Sequence, residues 1–229
     1  MQKKNDNTDT ARQLVFDLKH RPAMGREDFL ITPSNVEAVD AIDAWPDWQH
    51  LNLALVGPPA SGKTHLASVW CASSGAVVKS ITELSIESVP EFLTEGALVI
   101  EDLGQEKFDE AALFHLLNMA REAKASILLT SSKPPAHWTI ELPDLASRLR
   151  ALPLAQLNPP DDVLLRAVLV KLFADRQLMV DVAVINYLVT RMERSIKTAS
   201  RIVISLDELA LSRKVKIGLR LAKEVLEKL

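Results

Sequence analysis

The sequence predicts an α/β protein: a five-stranded parallel sheet with helices on both faces, followed by a small all-helical region. Three observations predict it. Short apolar runs alternate with amphipathic stretches as far as Leu157. The first of those runs ends in a glycine- and lysine-containing turn, Gly57 to Thr64. After Pro159-Pro160 only helical periodicity remains.

Residues 1–11 are polar and charged and carry nothing to pack, so they are expected to be disordered. An apolar island follows, Gln13-Leu14-Val15-Phe16-Asp17-Leu18, and then a basic stretch to Arg26. Such an island either folds back on its own domain or docks as a peptide in a partner's groove. The expected organisation is a flexible arm over 1–25, a nucleotide-binding α/β domain over 26–158 and a helical lid over 159–229.

Thr32-Pro33-Ser34-Asn35 supplies helix-start residues before Val36, Val39 and Ile42, and Trp45-Pro46 ends that helix. Leu51 to Val56 is an apolar run that stops at Gly-Pro-Pro, which reads as a buried strand. His65 to Ala72 is a helix and Ala76 to Lys79 the next strand. Gly96 to Ile100 is a third strand, ending at Glu101 and Asp102. Asp109 to Lys124 carries Leu113, Leu116, Leu117 and Ala120 on one helical face. Ser126 to Thr130 is a fourth strand, Pro143 to Arg150 a short helix and Leu152 to Leu157 a fifth strand. Four helices are expected beyond them: Asp161 to Ala174, Asp181 to Glu193, Lys197 to Leu211 and Ile217 to Leu226.

Aromatic residues are only 5% of the chain, so the core must be mostly aliphatic. No apolar run approaches the ~20 residues of a membrane span, and no apolar stretch follows the charged N-terminus as a secretory signal would require. Cys71, the single cysteine, has no internal partner for a disulfide, which fits the cytoplasm. A net charge of −3 speaks against a strongly basic nucleic-acid surface.

Gly57-Pro58-Pro59-Ala60-Ser61-Gly62-Lys63-Thr64 fits the phosphate-binding pattern G-x-x-x-x-G-K-[ST], with His65 next in the helix. Backbone N–H groups must converge on a phosphate there, which requires close approach and unusual dihedrals at Gly62. Lys63 reaches the β- and γ-phosphates as a point charge, and Thr64 offers a hydroxyl to Mg²⁺. The helix that begins at this point directs its positive end at the anion. The second half of such a site is an acid at the end of a neighbouring strand. Glu101 is placed for Mg²⁺, directly or through water, and Asp102 for orienting the attacking water. Ser131 and Ser132 follow the fourth strand, where a hydroxyl either contacts the γ-phosphate or caps a turn.

The cradle, the acid pair, the polar tip of strand four and the helical tail together resemble the AAA+ ATPases. Within these the chain resembles the DnaA initiator branch: Phe29-Leu-Ile-Thr-Pro-Ser-Asn35 looks like its lead-in segment near the adenine, and Leu145-Ala-Ser-Arg-Leu149 like its arginine-finger motif. No residues remain for the DNA-reading domain of DnaA. The resemblance is therefore nearest to the short DnaA-related proteins of the Hda type, which perform regulatory inactivation of DnaA. Leu142 to Leu149 is especially similar to theirs, and Gln13, Leu14, Phe16 and Leu18 match their sliding-clamp peptide.

This resemblance implies a resident ADP or ATP with Mg²⁺, DnaA and the polymerase sliding clamp as partners, DNA reached only through the clamp, a nucleoid or replisome location, and Arg148 acting in trans as an arginine finger. It leaves self-association open. Departures from the pattern are Glu101 where Asp is usual, Ser132 where an acid is usual, and Lys197 where the lid's sensor arginine belongs, with Arg194 and Arg201 about one turn to either side. Lys lacks the bidentate fork of Arg. All three departures imply retained nucleotide binding and weakened hydrolysis of its own. The alternative is an autonomous AAA+ ATPase such as a DnaC-like helicase loader, which needs no clamp peptide.

Overall fold

The computed structural model describes residues 25–104 and 107–228. The apolar island 13–18, with the expected clamp residues Gln13, Leu14, Phe16 and Leu18, lies outside the described residues.

Five strands form the sheet: β1 (Asn52–Val56), β2 (Val77–Ser80), β3 (Ala97–Leu103), β4 (Ser126–Ser131) and β5 (Leu154–Gln156). Their order is β2-β3-β4-β1-β5, and every neighbouring pair is parallel. The helices of this part are α1 (Val36–Asp43), α2 (Lys63–Ser74), α3 (Val89–Phe92), α4 (Glu110–Ala123) and α5 (Pro143–Arg150). α6 (Asp162–Asp175), α7 (Val182–Val189), α8 (Ile196–Arg213) and α9 (Leu219–Leu226) complete the chain.

The sheet is covered on both faces. Side chains alternate along a strand, so Leu98, Ile100, Ile127 and Leu129 pack with α3, α4 and α5. Val99 and Leu128 point the other way, to α1 and α2. Because both faces are buried, the strands read as unbroken apolar runs rather than as alternation. On α4, Leu113, Leu116, Leu117 and Ala120 are fully buried, as their spacing predicts. Three of the four tryptophans gather at α1 and α2, with Trp48 stacked on Trp70 at 5.2 Å and Trp45 edge-on to it at 6.2 Å. A third apolar cluster lies wholly within 165–226 and includes Leu165, Leu169, Val184, Leu188, Ile202 and Leu206.

Several boundaries differ from expectation. α2 begins at Lys63, two residues early, so Lys63 and Thr64 occupy its first turn. β3 does not stop before the acids. It runs through Glu101 and Asp102 to Leu103, with a register irregularity against β4 between Ile100 and Leu103, where Asp102 adopts φ 60°. The acid strand is not beside the cradle strand either: β4 stands between β3 and β1. The four-residue α3 was too short to show a period, and α7 ends at Val189 rather than Glu193.

Candidate functional site

The turn from β1 to α2 is a closed cradle. Gly57 N–H donates to Ser131 O at 3.1 Å, which ties the turn's first residue to the tip of β4. A Cβ at Gly57 would meet Leu157 O and Ser61 Oγ, both at 2.7 Å, so only glycine fits. Ala60 (φ 58°) and Gly62 (φ 101°) are both left-handed, a turn of backbone that directs successive N–H groups to one side. Ser61 is buried and its hydroxyl has no partner within the protein.

Lys63 is buried at the head of α2, and its ammonium donates to Gly57 O at 2.8 Å and Pro58 O at 3.0 Å. Burial pushes its pKa below the usual 10.5, while the charges of Asp102 and then Glu101 pull it back up. The two acids on β3 and the cradle lysine therefore share one electrostatic field, across the tip of β4. Thr64 is exposed on the next residue of the helix.

Asp102 is exposed and Glu101 half-buried. The Asp102 N–H donates to Thr130 Oγ1 at 3.1 Å, so the left-handed residue is held from β4. Of the two serines expected at this tip, Ser131 is buried and its hydroxyl donates to Lys133 O at 2.6 Å, which is the turn-capping alternative. Ser132 is half-buried beside it. Thr130 is thus the hydroxyl that joins the strand-four tip to the acids.

Beside the cradle a cavity of about 150 Å³ opens between the segment before α1, α2, and helices α6 and α8. Phe29, Leu30, Leu164, Val168, Leu172 and Ile196 give it an apolar lining, with Ser61, Gly62 and His65 on the cradle side. Such a slot suits a flat heterocycle attached to a phosphate chain. The Phe29 ring stands edge-on to His65 at 5.1 Å. Asn35 precedes α1 but caps nothing there: its Oδ1 accepts from Thr32 N–H and its Nδ2 donates to Leu30 O, both at 2.8 Å, which fixes the lead-in loop instead.

The lid cations fall elsewhere. Lys197 and Arg201 are exposed and neither lines the cavity, and Arg194 pairs with Asp162 at 2.8 Å. The lid cation that lines it is Lys171 on α6, with Asp175 one turn on. The sequence reading missed both, because α6 packs on two surfaces and shows no single apolar stripe.

Arg148 is at the opposite end of the sheet. It lines a second cavity with Gln49, His50, Leu51, Asn52 and Pro153, at the amino ends of β1 and β5. Its guanidinium donates to Asn118 Oδ1 at 2.6 Å and lies 4.9 Å from the centre of the Phe114 ring. Both partners belong to α4. The length of β1, about 15 Å at ~3.3 Å per residue, separates this end from the cradle.

The cradle fits a nucleotide on the structure's own terms: a lone buried hydroxyl at Ser61, a position closed to any Cβ, left-handed residues and a lysine at the helix head. Among the described residues no cluster of three or more His, Cys, Asp or Glu side chains is arranged to hold a metal. A Mg²⁺ ion here would take phosphate oxygens and water together with Thr64 and Glu101. Among the described residues no helix is long and apolar enough to cross a membrane.

No protein-family model matches the chain. Domain III of the Thermotoga maritima replication initiation protein DnaA is similar in fold: TM-score 0.75 at 20% identity, over 91% of this chain and 97% of that one. The Thermotoga maritima RuvB Holliday junction branch migration motor matches with TM-score 0.73 at 16% identity, over 90% of this chain and 72% of that one. AMPPCP-bound DnaA from Aquifex aeolicus gives 0.69 at 17% identity, over 91% and 70%. The fold is that of an AAA+ P-loop core with a helical C-terminal region, like DnaA domain III.

Proposed function

We propose that this chain holds an adenine nucleotide in its own cradle and supplies Arg148 to the ATP site of a second AAA+ protein, DnaA, as a replication regulator of the Hda type. The observation that carries this reading is the position of Arg148, at the amino end of the sheet and a strand's length from its own phosphates. An arginine so far away has no part in hydrolysis at its own cradle. It is half-exposed, and Asn118 engages one donor of a guanidinium that has five. The remaining fork is suited to a partner's phosphate.

A guanidinium arriving at a γ-phosphate stabilises charge that develops in the transition state. The effect is ~10³–10⁵ in rate, or about 4–7 kcal/mol. The nucleotide in this chain's cradle then acts as a structural ligand, joining α2, the lead-in segment and the lid around one cavity. The peptide at Gln13 to Leu18 has the pattern of a sliding-clamp ligand. Docking there raises the local concentration of the regulator at replicating DNA, which couples inactivation to replication itself.

The test is a reconstituted mixture of ATP-loaded DnaA, clamp loaded on DNA, ADP and this protein. Hydrolysis by DnaA should rise steeply, and replacing Gln13 and Phe16 with Ala should abolish the clamp-dependent part. No acceleration in the complete mixture would overturn the reading.

One observation favours the alternative of an autonomous ATPase. β3 carries Glu101 and Asp102 to the tip of β4, where Thr130 holds Asp102 and Ser131 holds the first residue of the cradle, so the acids and the phosphate turn are tied to the same strand end. Steady-state ATP turnover by the protein alone separates the two: rapid turnover without DnaA supports a helicase-loader type of machine.

A further inference from the structure

α5, which carries Arg148, starts without a cap of its own. Leu142 at its N-cap has no side-chain acceptor to offer, and Pro143 at the first helical position has no N–H. A residue from α4 takes over that role. Both carboxylate oxygens of Glu110 accept the Glu141 N–H at 3.0 Å, and Oε2 also accepts the Leu142 N–H at 2.7 Å. Negative charge is favoured at this end of a helix, so Glu110 satisfies the N–H of the N-cap and of the residue before it, and complements the dipole as well. Glu110 is itself the first residue of α4, whose N-cap Asp109 accepts the Ala112 N–H at 2.9 Å.

The consequence is a two-point clamp. At one end of α5 its backbone is clipped to Glu110. Two turns later Arg148 is held by Asn118 and Phe114 of the same helix, α4. An arginine serving a partner's phosphate must arrive within a fraction of an ångström of its target. The clip at the start of α5 sets the axis on which that arginine is carried.

We infer that Glu110 is a positioning residue for Arg148, acting through the backbone of α5 rather than by contact with any nucleotide. The inference rests on the trans-acting reading of Arg148. Its structural part has a readout of its own.

The experiment compares full-length parent, Glu110→Ala, Glu110→Gln, Arg148→Ala and the Glu110→Ala/Arg148→Ala double variant. Hydrogen exchange of the peptide covering residues 139–149 reads the clip without DnaA. Glu110→Ala should speed exchange there at least tenfold and leave the cradle peptide over 57–66 unchanged. Glu110→Gln, which keeps one acceptor oxygen, should recover most of the protection. In the DnaA mixture, Glu110→Ala should lower maximal stimulation at least tenfold, with an unchanged half-saturating concentration and unchanged nucleotide affinity. It should add nothing in the Arg148→Ala background.

Parent-like stimulation by Glu110→Ala overturns the inference. So does a loss of maximal rate that comes with an equal loss of nucleotide binding, or that persists additively without Arg148. Should the parent itself fail to stimulate DnaA, the trans-acting reading falls, while unchanged exchange in Glu110→Ala separately sinks the clip.

Discussion

The two ends of the sheet are built in opposite ways. At the carboxyl end the cradle is one contiguous stretch, Gly57 to Thr64, whose shape follows from its own dihedrals and from the helix it opens. At the amino end nothing is contiguous: Arg148 comes from α5, Asn118 and Phe114 from α4, and the cavity walls from the starts of β1 and β5. The first end is a site that a motif specifies. The second exists only because a fold brings distant residues together. On the proposed reading, one chain holds a nucleotide at one end of its sheet and presents an arginine at the other, a strand's length away.

Three changes at the cradle and its cavity test that separation, and a fourth lies apart from both in α9, the largest first. Gly62→Val forces a branched residue into φ 101° and sets its Cβ against the Phe29 ring, 3.5 Å away. Strain of about 1–3 kcal/mol at the phosphate turn should lower nucleotide affinity by about 10–100-fold in titration calorimetry, and α5 exchange should stay unchanged.

Val168→Asp replaces part of the apolar wall of the cavity with a carboxylate, three residues before Lys171 on the same helix. Nucleotide affinity should fall by about tenfold, read with a fluorescent nucleotide, while hydrogen bonding at Arg148 is undisturbed.

The third change is pH. Lys63 must be cationic to hold phosphate, and burial has moved its pKa down from 10.5. Affinity should therefore decline as pH rises through that lowered value, whereas the guanidinium of Arg148 stays charged throughout. Folding shows the converse sign: between the lowered pKa and 10.5 the unfolded chain binds more protons, so the contribution of Lys63 to stability rises with pH. Lys63→Met should remove both dependences.

The smallest effect is expected between α8 and α9, outside the lining of either cavity. Arg213 forks onto Glu224 through two 2.7 Å bonds and Lys228 adds a third at 2.8 Å, which together hold the Glu224 carboxyl at about 2 rather than 4.5. A depressed carboxylate stabilises the fold above its unfolded pKa and loses that contribution as pH falls. Glu224→Gln should lower the melting temperature slightly at neutral pH, with the difference vanishing between pH 4.5 and about 2. Exposed pairs contribute little.

The sequence made the two ends unequally legible. The cradle was readable because a phosphate turn needs fixed residue types at fixed spacing, and Lys63 and Thr64 stand in the first turn of α2. The strands were readable as apolar runs because both faces are covered. The acids were misjudged in their setting: a run of Leu-Val-Ile that meets Glu and Asp looks finished, yet β3 continues by way of a left-handed Asp102 held by Thr130. No local pattern encodes a bond between strands. Lys171 escaped notice for a similar reason, since a helix packed on two sides has no polar face to contrast with its apolar one. Lys197, aligned by resemblance to a sensor, is exposed outside the cavity lining, because a shift of one residue on α8 puts Ile196 there instead. Arg148 was visible as part of a motif, but its platform on α4 was not.

Whether Arg148 acts in trans is decided by single-turnover hydrolysis of ATP bound to DnaA, with DNA-loaded clamp and the ADP form of this protein or its Arg148→Ala variant. The variant should bind its own nucleotide and the clamp as the parent does and yet lose about a thousandfold or more in the rate it confers. Parent-like acceleration by Arg148→Ala would contradict action in trans.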